Sequence, residues 1–127
     1  MWTEPSAVTS NLLADEVVWV RALLPDDHQG LRAMFSRVSS ETICRRFHTP
    51  YARLPEWIPE FLMDADERGG RSLVAVVGEE IVGHAMCSPP EAGEAEVAIV
   101  VEDRWQSRGV GKLLLFELAE DAKGRGV

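Results

Sequence analysis

Seven residues near the end of the chain, Gln106 to Lys112 (QSRGVGK), have the composition of an anion-binding turn. They follow an apolar stretch typical of a strand and precede one typical of a helix. The first turn of a helix carries unpaired N–H groups and partial positive charge. Gly109 and Gly111 leave out side chains where an anion has to approach the backbone. The run therefore predicts a phosphate-type anion site.

Two well-known phosphate motifs do not fit this run. A P-loop needs GxxxxGK[ST], but Gln106 stands at its first glycine and Leu113 replaces the Ser or Thr. A dinucleotide fingerprint, GxGxxG, would need a glycine where the chain has Leu114. The turn therefore belongs to another class of anion site.

Two carboxylates are the strongest candidates for acid–base chemistry. Glu94 and Glu96 begin the run EAEVAIVVED, whose alternation predicts a strand with both glutamates on one face. A carboxyl group partly buried beside a sheet has a raised pKa and can act as a general base. The alternative is a pair of exposed strand carboxylates. His84 is interpreted as a core histidine with satisfied hydrogen bonds, and no metal site is predicted.

The rest of the chain supplies elements to position these residues. The pattern predicts an α+β (α/β) fold with a mixed, mostly antiparallel sheet flanked by helices. The first half of the chain predicts a strand over 16–24, a helix from 25–27 to about Val38, a short helix that starts at 39–41 and a helical piece within 55–70. Strands over 71–78 and 80–88 follow, joined by a turn at 78–80. The last elements are a strand over 94–103 and a helix with Val110, Leu114 and Leu118 on one face.

Length and charge limit the protein class. The 127 residues predict one domain over 15–127, preceded by a flexible segment over 1–14. The net charge of −8 argues against partners such as nucleic acid or acidic membrane. No apolar run is long enough for a membrane helix, and no signal peptide is predicted. Two cysteines without paired spacing are consistent with reduced thiols and a cytoplasmic location.

The turn and its flanks resemble a known family. The stretch AIVVEDRWQSRGVGKLLLFELAEDAKGRG contains the pattern Q/R-x-x-G-x-G/A and resembles motif A of the GNAT superfamily of N-acetyltransferases. The strand EIVGHA and the segment VRALLPDDHQGLRAMF stand in the family's order. Within that family, VRALLPDDHQGLRAMFSRVSSETICRRFHTP and EAEVAIVVEDRWQSRGVGKLLL are most similar to Pat-type protein lysine acetyltransferase domains.

The resemblance implies acetyl-CoA as cosubstrate and assigns residues to it. The backbone of Ile99, Val100 and Val101 would pair with the pantetheine arm. Gln106 and Ser107 would form the turn, and amides from Arg108 through Gly109, Val110 and Gly111 to Lys112 would hold the pyrophosphate. Arg108 and Lys112 would add countercharge, or would be solvated cations. Glu96 best matches the family's catalytic glutamate, with Glu94 as second candidate.

The implied function is acetyl transfer to an amine, with a protein lysine side chain as acceptor. Two alternatives stay open. One is a small-molecule amine acceptor, because the acceptor pocket comes from the variable first-helix region. The other is a module that binds CoA or a partner without catalysis.

The resemblance also implies that the domain is truncated after the motif A helix. A GNAT domain continues there with a fifth strand, which opens the wedge that holds acetyl-CoA. We therefore expect the last helix to leave its apolar stripe uncovered. Dimerisation, or exchange of elements with a second copy, would complete the sheet.

Overall fold

A computed structural model describes residues 6–9 (backbone only), 17–47, 58, 62–63, 70–87 and 97–124. Its strands are β1 (Ser6–Thr9), β2 (Val17–Ala22), β3 (Arg71–Val77), β4 (Glu80–Cys87) and β5 (Val97–Val101). Its longer helices are α1 (His28–Arg37), α2 (Ser40–Phe47) and α3 (Val110–Gly124). Short 3-10 turns cover Pro25–Asp27 and Asp103–Trp105.

The five strands form one sheet in the order β1-β2-β3-β4-β5, and each neighbouring pair is antiparallel. The predicted hairpin joins β3 to β4, and Gly78 adopts the positive φ of 60° that its tight turn requires. At the other side, β4 pairs with β5 so that His84 stands opposite Val100. The predicted α+β class with a mostly antiparallel sheet is confirmed.

Helices cover both faces of this sheet. On one face, α3 packs through Val110, Leu114 and Leu118 onto residues such as Leu73 and Val82. On the other face, α1 and α2 pack against the sheet through Leu31, Met34, Phe35, Ile43 and the strand residues Val74 and Val100. Strand β3 is buried on both faces from Ser72 to Val76, which explains its unbroken apolar character.

The apolar stripe of α3 is covered, contrary to expectation. Val110, Leu114 and Leu118 are at most 1% exposed because they lie on β3 and β4. Gly83 permits this close approach, since a Cβ there would lie 3.1 Å from Leu114 Cδ1. The expectation was wrong because it considered only the strand that would follow α3, whereas the helix packs back onto strands that precede it. The start of α3 is thereby fixed against the centre of the sheet.

An ion pair fixes the start of α1. The Arg21 guanidinium donates to both carboxylate oxygens of Asp27, at 2.7 and 2.8 Å, and the Leu24 amide donates to Asp27 Oδ2 at 2.7 Å. Burial of Asp27 opposes its ionisation, but the hydrogen bonds from Arg21 and Leu24 outweigh it and lower the carboxyl pKa. The turn predicted at Pro25–Asp27 therefore links the end of β2 to α1.

Two sequence expectations lie wholly or mostly outside the described residues. The helical piece within 55–70 is one of them, although Ile58 and Leu62 are buried against α1 and α2. Glu94 and Glu96 are the other. Strand β1 was not among the predicted elements, and the division of the chain at residue 14 stays a prediction. Across the described ranges, no helix is long and apolar enough to cross a membrane.

Candidate functional site

The turn before α3 has the backbone shape of an anion-binding nest. Ser107 and Gly109 adopt positive φ angles of 63° and 89°, separated by Arg108. The Leu113 amide donates to the Gly109 carbonyl at 3.0 Å, which closes the first turn of α3. The amides of Val110, Gly111 and Lys112 therefore precede the first intrahelical bond. Such a group of N–H donors at a helix start can receive an anion.

The last strand presents backbone groups beside this turn. The Glu102 amide donates to the Val82 carbonyl at 2.8 Å, so its backbone points toward β4. Backbone groups of successive residues in a strand point to opposite edges. Those of Val97, Ile99 and Val101 therefore point away from β4, where an extended ligand with amide groups can pair with them. The backbone of Val100, which was also predicted to pair with the pantetheine arm, points toward β4 instead.

Gln106 connects the turn to this strand edge. Its Nε2 donates to the Val101 carbonyl at 3.0 Å and lies 3.1 Å from Thr42 Oγ1 on α2. The side chain thus folds back across the turn and holds it against both β5 and α2. This is the geometry expected of a residue that shapes the turn, although contact with a cofactor stays a prediction.

Asp103 extends the connection to α2. Its Oδ1 accepts a hydrogen bond from the Ser39 amide at 2.9 Å, and its Oδ2 accepts from Ser39 Oγ at 2.7 Å and Thr42 Oγ1 at 3.1 Å. Desolvation opposes ionisation of the Asp103 carboxyl, but the hydrogen bonds from Ser39 and Thr42 together outweigh it and lower its pKa. Sequence reasoning missed this contact, because nothing local places Asp103 beside a residue more than sixty positions earlier.

A cleft of about 240 Å³ opens between α2 and the edge of β5. It is lined by Thr42, Arg45, Arg46, Ile99, Val100, Val101 and Gln106. Four of these seven residues were predicted to contact a cofactor. Thr42, Arg45 and Arg46 were not, because their position depends on how α2 packs across the sheet rather than on a motif.

His84 lies fully buried in β4, and neither ring nitrogen has a hydrogen-bond partner among the described residues. Desolvation, with a smaller contribution from the Arg46 charge, lowers the pKa of His84 to about 3. The ring is therefore neutral at physiological pH. The interpretation of His84 as a core residue is confirmed, whereas the expected hydrogen bonds of its ring are not found among the described residues.

The two predicted countercharges differ in environment. The Arg108 guanidinium lies 5.7 Å from the ring centroid of the fully buried Trp105, and its Nη1 has no hydrogen-bond partner in the described part of the chain. Lys112 is exposed on the first turn of α3. Both side chains belong to the turn where an anion would bind, and their role stays a prediction. No group of three or more potential metal ligands occurs within the described ranges.

Comparison with known proteins gives a consistent result. The sequence profile of the acetyltransferase (GNAT) family matches residues 32–127. The crystal structure of the GNAT domain of S. lividans PAT superposes with a TM-score of 0.84 at 30% identity, covering 97% of this chain and 74% of that one.

Two further relatives are more distant. The L-amino acid N-acetyltransferase AaaT of Escherichia coli is 28% identical over 98 residues, which cover 74% of this chain and 57% of that protein. This chain thus spans little more than half the length of that curated relative. A GNAT family acetyltransferase from Brucella melitensis, crystallised with acetyl-CoA, superposes with a TM-score of 0.64 at 23% identity. The match covers 87% of this chain and 71% of the Brucella chain, and at this identity it supports the fold alone.

Proposed function

Because this chain belongs to the GNAT acetyltransferase family, we propose that it transfers an acetyl group from acetyl-CoA to an amine. One observation carries the proposal. The nest over 107–112 and the outward-facing backbone of β5 are held together by Gln106, whose side-chain amide lies 3.0 Å from the Val101 carbonyl. A ligand that carries a pyrophosphate and an arm with amide groups matches both features, with the pyrophosphate at the nest and the arm along β5.

In this proposal, the amides from Arg108 to Lys112 bind the pyrophosphate, with Arg108 and Lys112 as countercharges. The backbone groups of Ile99 and Val101 pair with the pantetheine arm, as an added strand would. Acetyl-CoA supplies the thioester carbonyl that the amine attacks. A backbone N–H of β5 donates a hydrogen bond to that carbonyl oxygen as negative charge develops on it.

The acceptor amine has to lose a proton before it can attack, because a lysine amine is almost fully protonated at neutral pH. We assign proton removal, directly or through one water, to the Glu96 carboxylate. Glu94 is the second candidate. The assignment rests on the place of these glutamates immediately before β5 and on their likeness to the family's catalytic glutamate.

For the acceptor, we propose a protein lysine side chain, by likeness to Pat-type domains. The 30% identity to the GNAT domain of S. lividans PAT supports this choice. A small-molecule amine is the second candidate, since the relative from E. coli is an L-amino acid N-acetyltransferase. A panel of lysine peptides and free amino acids, assayed for thiol release from acetyl-CoA, distinguishes the two.

The decisive variant is Glu96→Gln. We expect turnover to fall about 100-fold or more while CoA affinity stays the same, because the amide keeps the shape but cannot accept the proton. Glu120→Gln is the matched control, since Glu120 lies on α3 and its side chain is half exposed. Full turnover in Glu96→Gln would show that this base is wrongly assigned.

A non-catalytic CoA-binding module is the competing function. It predicts a CoA-dependent rise in melting temperature without thiol release for any amine, because a ligand that binds only the folded state stabilises it. No rise with CoA would count against both functions.

We also propose that a second copy packs against exposed apolar side chains of β5 and α3 and leaves the outward-facing β5 backbone to the pantetheine arm. Val97 on that strand and Leu115 and Phe116 on α3 remain 46%, 49% and 60% exposed, which leaves apolar surface for a partner. Solution mass measured during a CoA titration tests this arrangement. A monomer at all CoA concentrations would contradict it.

A further inference from the structure

Helix α2 places a partly buried cation at the cleft beside β5. Arg46 lines this cleft, and its pKa is lowered because burial disfavours the charged form. Its Nη2 lies 3.3 Å from the Met86 sulfur, and its guanidinium lies 4.6 Å from the ring centroid of Phe47. Neither group is an anion. Among the described residues, no carboxylate pairs with Arg46, and its buried Nε has no hydrogen-bond partner.

The neighbouring arginine is in a different state. Arg45 Nη2 lies 3.8 Å from Glu41 and 3.3 Å from Thr42 Oγ1, and its side chain is 63% exposed. Its charge is therefore largely compensated by water and by its own helix. Of the two arginines that line the cleft, Arg46 is the one without a carboxylate partner in the described part of the chain.

Among the described residues, the lining of the cleft is cationic. Its seven lining residues include two arginines and no aspartate or glutamate, in a chain whose net charge is −8. His84 adds no charge at neutral pH, because its buried ring is neutral. A partly desolvated guanidinium gains most from a carboxylate, which it can bind through two parallel hydrogen bonds.

The cleft also borders the strand edge where the thioester is proposed to lie. Ile99, Val101 and Gln106 belong both to the cleft lining and to the proposed cofactor contacts. An anionic group bound by Arg46 would therefore sit beside the reacting carbonyl, where the acceptor has to enter.

We propose that Arg46 binds a carboxylate of the acceptor, so that the enzyme selects amines that carry a carboxylate close by. This inference rests on the proposed acetyltransferase function. The carboxylate can come from the main chain of a free amino acid or from an acidic side chain next to a lysine in a peptide. Both sources present the same group to the guanidinium.

Binding measurements test the proposal independently of turnover. Isothermal titration of the CoA-saturated protein compares L-lysine with L-lysinamide, which lacks the carboxylate. A second arm compares a capped peptide with glutamate after its lysine with the same peptide carrying glutamine. We expect the carboxylate member to bind about tenfold more tightly in at least one arm, a difference typical of a charge-assisted hydrogen-bond pair. The arm that shows it identifies the source.

Arg46→Met removes the charge but keeps an apolar chain against Phe47 and Met86. We expect Arg46→Met to reduce the preference for the carboxylate ligand over its amide counterpart to about threefold or less. CoA affinity should stay within about twofold of wild type, because the cofactor phosphates are proposed to bind at the turn before α3. Arg46→Lys should retain part of the preference, since it keeps the charge but not the bidentate geometry. Lys123→Met, on the opposite face of the sheet, is the matched control and should retain all of it.

Three results would overturn the proposal. One is equal binding of carboxylate and amide members in both arms, and another is no binding of either. The third is an Arg46→Met variant that loses about tenfold or more in CoA affinity with an unchanged acceptor preference, which would assign Arg46 to the cofactor phosphates. Failure of the underlying acetyltransferase function looks different, because it abolishes thiol release whatever the acceptor charge.

Discussion

Gln106, which opens the turn before α3, is hydrogen-bonded to Val101, the last residue of β5, with 3.0 Å between Nε2 and the carbonyl oxygen. The same nitrogen lies 3.1 Å from Thr42 Oγ1 on α2. The position of the nest therefore depends on a side chain that contacts both the last strand and the helix across the cleft.

We expect Gln106→Ala to weaken CoA binding about tenfold, because the nest loses its fixed position relative to β5. The free energy of unfolding should fall by only about 1 kcal/mol, the usual worth of such a hydrogen bond. Titration calorimetry with CoA and urea unfolding measure the two effects. Gln29→Ala, at an exposed site on α1, should change neither. Unchanged CoA affinity in Gln106→Ala would separate the turn from the cofactor site.

The two glycines of the turn should respond differently to alanine. Gly109 has a φ of 89°, so Gly109→Ala should cost about 1–2 kcal/mol of folding free energy although its Cβ would meet no other atom. At Gly111 a Cβ would lie 3.8 Å from Val101 Cγ2, an ordinary contact, and Gly111→Ala should leave stability unchanged or raise it by up to about 1 kcal/mol.

Gly111→Ala should nevertheless weaken CoA binding, because a pyrophosphate has to approach the backbone of this turn. CoA titration of the folded variant provides the measurement. A variant that is fully stable and binds CoA normally would show that the anion does not contact residue 111.

The elements with strong local signals were predictable from the sequence. The alternating or continuous apolar runs of β3, β4 and β5, the hairpin turn at Gly78 and the start of α3 after Gly109 all depend on neighbouring residues. The turn before α3 was predictable for the same reason, since a nest is formed by consecutive amides.

The side of the cleft formed by α2 was not predictable in this way. The contact of Asp103 with Ser39 and Thr42, and the place of Arg46 at the cleft, arise where α2 packs across β5. Residues that far apart in sequence meet through tertiary packing, for which a single sequence gives no local signal. The His84 ring, which has no hydrogen-bond partner among the described residues, is a further example, because burial is predictable from a strand pattern but hydrogen-bond partners are not.

The Arg21–Asp27 pair should dominate the stability of the β2–α1 junction. Asp27→Asn should lower the free energy of unfolding by about 2 kcal/mol at pH 7, because it leaves a charged guanidinium without its carboxylate, although Arg21 is partly exposed to water. Asp26→Asn, at the exposed neighbouring position, is the matched control and should change the free energy of unfolding by less than about 0.5 kcal/mol.

The effect of Asp27→Asn should depend on pH in a defined direction. The pKa of Asp27 is lowered in the folded state, so its stabilisation is present above the unfolded value of about 3.9 and is lost as pH falls through the folded pKa. Urea unfolding at pH 7 and at pH 3 should therefore show a smaller gap between wild type and Asp27→Asn at the lower pH. A gap that stays constant would mean that the ion pair does not stabilise the fold.

His84 should make the fold sensitive to mild acid. Its pKa is lowered from 6.5 to about 3 by burial, so below pH 6.5 the unfolded chain takes up a proton that the folded protein does not. The unfolded state then binds more protons, and the free energy of unfolding falls as pH decreases. The full slope is about 1.4 kcal/mol per pH unit, approached below the unfolded pKa.

His84→Leu should remove this slope, because leucine fills a similar volume and does not titrate. At pH 7 it should be neutral or stabilising, since it also removes two buried ring nitrogens that lack hydrogen-bond partners among the described residues. Comparing the two proteins by urea unfolding between about pH 6.5 and 4.5 isolates His84, because model carboxyl groups titrate mainly below this range and both proteins share the other two histidines. Val82→Ala, at a buried position of the same strand, should lower stability yet keep the slope. A wild-type slope in His84→Leu would mean that another group takes up the proton and that His84 is protonated, or hydrogen-bonded, in the folded protein.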